Sequence, residues 1–181
     1  MRVYWPTTLT ALARLAPAGE LAGAPVTVHA VTPTLRDYYA DADPRDLEEE
    51  LEYVAMSDAA EQSVRLLAAE KAEQQEGSDV FPRRVVLALD VPDTAVTAQR
   101  GAWSAPERSQ VVVTESLTLA NLVSVHVDDA EAEADVRAAI DALPAADGGD
   151  EDAQFTVGEC EGHDLLWYDA SELPILLAVG P

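Results

Sequence analysis

Four side chains limit what this chain could do as a catalyst or metal carrier. They are His29, His126, His163 and Cys160, the last the only cysteine. Imidazole and thiolate are the usual ligands of zinc, with carboxylate as a third type. Cys160 and His163 have C-x₂-H spacing. His126 and Asp128, two residues apart, share one side of a strand end. A zinc-type site would therefore draw on His29, His126, Asp128, Cys160 and His163. With an activated water, His126, Asp128 and His163 would be the catalytic set of a small metal-assisted hydrolase. Three observations oppose this. No helix carries HExxH, no second cysteine exists, and Asp128 is already accounted for as a helix cap. The expectation is a chain without catalytic residues, metal or cofactor.

Other chemistries have weaker support. Glu159 and Glu161 flank the Cys160 thiol and oppose formation of the thiolate that a nucleophile needs. No G-x-S-x-G elbow is present. Gly158 and Gly162 bracket Cys160, but neither G-x-G-x-x-G nor a Walker pattern occurs, and Glu159, Glu161 and Asp164 would repel phosphate. The DGGDED stretch offers oxygen atoms to calcium without the spacing of an EF-hand loop.

Charge is the strongest signal. Acidic residues number 34 against 11 basic ones, for a net charge of −23, and Lys71 is the single lysine. Such a surface repels nucleic-acid phosphates and anionic membrane, so neither is an expected partner. Seven carboxylates fall between Asp41 and Glu52. On a helix there, Leu47 and Leu51 turn inward while Glu48, Glu49 and Glu52 face solvent. These three glutamates are the expected docking residues for a basic protein partner, steered by charge. Trp103, in a long connection without clear period, is the expected exposed or lid-like aromatic and a further candidate for partner binding. The other aromatics read as core.

The elements that position these residues follow from periodicity. Arg2 to Trp5 is a strand ended by Pro6, and Thr7 or Thr8 caps a helix running to about Ala16. Pro17 to Pro25 reads as a loop. Val26 to Val31 alternates as a strand, and Thr32-Pro33 opens a short helix. Asp43-Pro44 opens a long helix to about Lys71. Its two apolar stripes predict a break near Tyr53 to Ser57 or a middle buried on two sides. Arg84 to Val91 is a strand apolar on both faces. Asp93 to Arg108 is functional or hides a short element. Val111 to Val113 and Leu122 to Val127 are strands. Asp128 then caps a helix whose stripe of Ala132, Val136, Ala139, Ile140 and Leu143 predicts packing on a sheet. Pro144 to Asp152 reads as a loop. Phe155 to Val157 and Leu165 to Tyr168 read as short strands, with Ser171 capping a last turn.

Three segments carry a resemblance: the start MRVYWPTT, the junction VHVDDAEAEADVRAA and the tail EGHDLLWYDASELPILL. Together they resemble an uncharacterised family of small acidic actinobacterial proteins, over nearly the whole chain. The resemblance implies a bacterial, cytoplasmic protein with one continuous domain, and it carries no catalytic residue to transfer.

The combined expectation is a single domain over residues 1–181 of the α+β or α/β class. It has a mixed sheet of five or six strands with helices mainly on one face. No apolar run approaches the ~20 residues of a membrane span, and the cytoplasm is the default location. The expected function is a non-enzymatic acidic interaction or regulatory protein, with the metal-assisted hydrolase as the alternative.

Overall fold

The computed structural model describes residues 1–39, 47–73, 80–98 and 105–179. Its class is α+β. Strand β1 (Arg2–Thr7) leads into helix α1 (Leu9–Leu15), capped by Thr8, whose hydroxyl accepts from the Ala11 amide. Strands β2 (Glu20–Ala22) and β3 (Val26–His29) follow, then helix α2 (Pro33–Tyr38), capped by Thr32. Pro33 occupies the first helical position, where no amide is needed. Helix α3 spans Leu47–Glu73 and strand β4 Val85–Asp90. The connection read as aperiodic hides strand β5 (Val96–Ala98) and helix α4 (Ala105–Ser109). Strands β6 (Gln110–Val113), β7 (Leu117–Thr118) and β8 (Leu122–Asp128) come next. Helices α5 (Glu133–Asp147) and α6 (Glu151–Glu159), strand β9 (Leu165–Asp169) and helix α7 (Leu173–Val179) complete the chain.

Among the described residues the main sheet has seven strands, in the order β5-β6-β3-β1-β4-β8-β9, and β2 pairs with β7 in a separate ribbon. Every pairing is antiparallel, where a mixed sheet of five or six strands was expected. The reason lies in β2. A strand, a helix and a strand in succession suggest a parallel crossover. Residues 20–22, read as loop, instead form a strand outside the main sheet, and β3 returns antiparallel to β1. Pro6 does not end β1 but pairs with Val86 of β4. On its other side β1 meets β3 only at Tyr4–His29, so a residue lacking an amide donor is tolerable beyond that point.

One face of the sheet presents Val3, Val28, Val85, Leu87, Val111 and Val125 to Leu9 and Leu12 of α1, Leu21 of β2 and Leu173 of α7. The other face presents Tyr4, Val86 and Ala88 to Leu35 of α2 and to Leu51, Ala55 and Ala59 of α3. Alternation along β4 sends its side chains to both cores in turn.

Helix α3 does not break. Its buried residues Leu51, Ala55, Ala59, Ser63 and Leu67 recur every four positions. At 100° per residue such a stripe drifts about 40° per step, roughly 160° over the set. The first half therefore faces the sheet, and the second half turns Val64 and Leu67 to Val136, Ala139, Ile140 and Leu143 of α5. The α5 stripe packs on α3 rather than on the sheet as expected. Ser63 sits where the two halves meet: its hydroxyl donates to the Thr7 carbonyl at 2.7 Å and accepts from the Val85 amide at 3.0 Å.

Several local expectations fail on caps. Asp129 holds the cap at the end of β8, accepting from the Glu131 amide at 3.0 Å, and Asp128 does not cap. Pro144 lies inside α5, and Phe155 to Val157 lie in α6 behind the Asp150 cap. Asp169, not Ser171, caps the last turn, with Glu172 completing a capping box. Asp43 and Pro44, expected to open the long helix, lie outside the described residues. Among the described residues, no helix is long and apolar enough to cross a membrane.

Candidate functional site

Among the described residues, a concavity lies between α3, the turn at residues 160–164 and the start of β9. It is a cleft of about 470 Å³. Val54, Met56, Ala60 and Leu165 give it an apolar wall, and Asp58, Arg84, Glu161, His163 and Asp164 line its polar side. Tyr53 stands at its end, half exposed.

Arg84 and Asp128 are joined at the paired ends of β4 and β8. The guanidinium Nη2 donates to Asp128 Oδ1 at 2.6 Å and Nε to Oδ2 at 2.9 Å, while the Arg84 amide donates to Oδ2 at 2.7 Å. Both side chains are almost fully buried, at 4% and 0% exposure. Nη2 also donates to the His163 carbonyl at 2.7 Å, which ties the turn to the strand. Burial opposes the Arg84 charge, yet the hydrogen bonds and field of Asp128 outweigh it and hold the group above its ordinary value.

Asp58 enters the cleft from α3. Behind it, Ser109 Oγ donates to Asp58 Oδ2 at 2.5 Å, and His29 Nδ1 lies 2.8 Å from Ser109 Oγ. With the serine proton committed to the carboxylate, His29 is the donor, so the imidazole carries its proton on Nδ1. The serine sits in the middle of this chain, where a hydrolytic triad has its histidine. Ser109 and His29 are buried, at 0% and 1% exposure, so neither meets a substrate. Burial is the main cause that pushes the Asp58 carboxyl up to about 6, with Glu61 and Glu161 acting the same way. Burial likewise lowers His29 to about 4.

A second concavity of about 280 Å³ adjoins the first across Tyr53 and Met56, which line both. It is lined by Glu49 and Glu52 of α3, by Arg2 and Tyr4 of β1, by Ser124 and His126 of β8, and by Trp167 of β9. Trp167 is 60% exposed, where a core position was expected. It stands on β9, an edge strand, and Leu166 beside it is also exposed. Arg2 is matched by Asp90 at 2.8 Å.

The structure disperses the proposed metal and catalytic sets. His126 Nε2 meets Ser124 Oγ at 3.0 Å in the second concavity. Asp128 gives both carboxylate oxygens to Arg84. His163 lines the first cleft, and its Nε2 meets Asp135 of α5 at 2.7 Å. His29 lies with Ser109. Cys160 is buried and donates to the Val157 carbonyl at 3.0 Å. Its thiol is pushed up to about 11, first by burial, against the pull of Arg84. Among the described residues, no three His, Cys, Asp or Glu side chains are grouped to hold a metal ion.

The expected docking residues divide. Glu48 is tied to Arg36 by a two-pronged ion pair. Glu49 and Glu52 line the second concavity. Trp103 lies outside the described residues. Sequence reasoning missed Tyr53, Asp58, Arg84 and Trp167. A usable signal did exist for Arg84: a charge directly before a strand apolar on both faces must find a partner on the neighbouring strand.

A family model matches nearly the full length of this acidic α+β chain. The chain belongs to a family of unknown function, DUF6912. The match covers residues 1–177, which includes every element that lines the two concavities. No curated protein and no solved structure matches the chain.

Proposed function

We propose that this member of DUF6912 is a non-enzymatic interaction protein that docks a basic segment of a protein partner on the face between α3 and β8–β9. One observation carries the reading: two adjoining concavities meet at exposed Tyr53, and carboxylates and aromatic rings line both. The basic groups on this face, Arg2 and Arg84, are each matched by a carboxylate of the chain itself, Asp90 and Asp128. The field over the face is therefore set by Glu49, Glu52, Asp58, Glu161 and Asp164. Exposed Trp167 and Tyr53 add ring faces that attract ammonium and guanidinium groups. The same charge argues against nucleic acid as the partner. The family match over 177 residues supports reading the chain as one domain. In the hydrolase alternative, His126, Asp128 and His163 would have to leave separate partners to act together.

The test uses a fluorescein-labelled Arg/Ser-repeat peptide and the full chain. Glu49→Gln with Glu52→Gln should slow association several-fold and flatten its dependence on salt. Glu20→Gln with Glu151→Gln changes net charge equally, at exposed positions elsewhere. Equal effects from both pairs would show that only bulk charge matters, and would overturn the proposal.

A further inference from the structure

We infer that the cleft beside Asp58 receives one basic residue of the docked segment, an arginine or lysine held at both its backbone carbonyl and its cationic end. This rests on the docking reading and deepens it. The first support is Arg84. Its Nε and Nη2 are spent on Asp128 and the His163 carbonyl, and among the described residues Nη1 has no partner. Among the described residues Nη1 is not one of the enclosed polar atoms that lack a partner, so it keeps some exposure, and Arg84 lines this cleft, which makes Nη1 the donor free to serve it. A donor in so buried a side chain calls for an acceptor. The charge on Arg84 is already matched by Asp128, so a neutral carbonyl suits it and a second anion is not required.

The second support is the rest of the lining. Val54, Met56 and Leu165 form an apolar wall, and Asp58, Glu161 and Asp164 supply negative charge around it. A carbonyl for Nη1, a methylene stem for the wall and a cation for the carboxylates are the three parts of an arginine or lysine residue in a peptide. An anionic ligand meets three carboxylates, and a purely apolar one leaves Nη1 without an acceptor. A cleft of about 470 Å³ has room for such a residue with its flanking amides.

The probes are N-acetyl-arginine methylamide, N-acetyl-lysine methylamide, N-acetyl-norleucine methylamide and n-butylguanidinium, each titrated into the full chain by amide-correlation NMR. The arginine or the lysine probe should shift Ser57, Asp58 and Leu165. The norleucine probe, without the cation, should bind roughly tenfold more weakly, and n-butylguanidinium, without the carbonyl, several-fold more weakly. Ser57→Trp places an indole at the cleft mouth from an exposed helix position and keeps the net charge. It should abolish these shifts while leaving the association rate of the Arg/Ser-repeat peptide near its original value. Glu161→Gln with Asp164→Asn, both exposed, is the second variant and should weaken the two cationic amide probes without unfolding the chain. Equal binding of norleucine and arginine probes, or unchanged binding in both variants, overturns the cleft assignment. If the peptide associates normally yet no probe shifts the cleft, this inference alone fails. If neither probe nor peptide binds at low salt, the docking reading fails with it.

Discussion

Asp128 shows how one side chain changes meaning once its neighbours are known. As a helix cap, its loss would cost about 0.5–2 kcal/mol. As the partner of buried Arg84, its loss leaves an uncompensated guanidinium in the protein interior, and Asp128→Ala should cost roughly 3–5 kcal/mol. Asp129→Ala, which removes the actual cap, should stay near 0.5–2 kcal/mol. Urea unfolding of both variants decides the matter, and equal losses would contradict the ion-pair reading. His29 makes a second prediction. Its folded pKa is depressed to about 4 from 6.5. As pH falls, the unfolded chain takes up this proton first. The stability given by the neutral ring is full above pH 6.5 and is lost between 6.5 and about 4. The advantage of wild type over His29→Gln should therefore shrink by about 3 kcal/mol across that window. Asp58 has the opposite sign, since its folded pKa is raised to about 6 from 3.8 and its ionised form is the costly one. Comparing wild type with the variant isolates the histidine. An advantage that does not vary with pH would mean that the ring is not held neutral.

At the scale of elements, α3 is the decisive piece. It joins two cores that share no side chain: Leu51 packs against the sheet and Leu67 against α5. The two leucines are sixteen positions apart, about 24 Å along a helix axis at 1.5 Å per residue. Leu51→Ala and Leu67→Ala should each cost about 2–5 kcal/mol, and their costs should add to within about 0.5 kcal/mol in the double variant. Strong non-additivity in chemical unfolding would mean that the two cores are coupled through the helix. The position of α3 also explains why the candidate site lies where it does. Its outer flank supplies Glu49, Glu52, Tyr53 and Ser57, while Leu51, Ala55 and Ala59, each two positions on from Glu49, Tyr53 and Ser57 and so across the helix, are held in the core.

For the whole molecule, the net charge of −23 outweighs the ion pairs. The pairs Arg36–Glu48, Arg65–Asp147 and Lys71–Asp141 are exposed, and such pairs contribute about 0–1 kcal/mol each. Self-repulsion among the remaining carboxylates acts over the whole surface. Raising sodium chloride from about 10 mM to about 0.5 M shortens the screening length from about 30 Å to a few ångström. Screening should weaken repulsion more than attraction, so the Tm should rise by several degrees. A Tm that falls with salt would show that the surface pairs dominate.

Much of this is legible in the amino-acid sequence alone. The strand alternation at Val85 to Asp90, the Thr8 and Thr32 caps and the two-sided burial of α3 are local in origin. They depend on side-chain periodicity and on hydrogen bonds between residues three or four positions apart, so neighbours in the chain suffice to define them. Surface charge is likewise a property of composition, and it does not depend on how the chain folds. The remaining features depend on contacts between distant segments. Residues 84 and 128 are brought together only by the β4–β8 ladder, as are Tyr53 and Trp167 by the packing of α3 beside β9. The strand formed by residues 20–22 is specified by its pairing with β7, nearly a hundred positions later, and not by its own three side chains. Local periodicity thus determined the longer elements, such as α3, β4 and β8. The tertiary structure alone decided which of their polar side chains are buried in pairs and which remain to meet a partner, because burial and pairing are properties of neighbours in space.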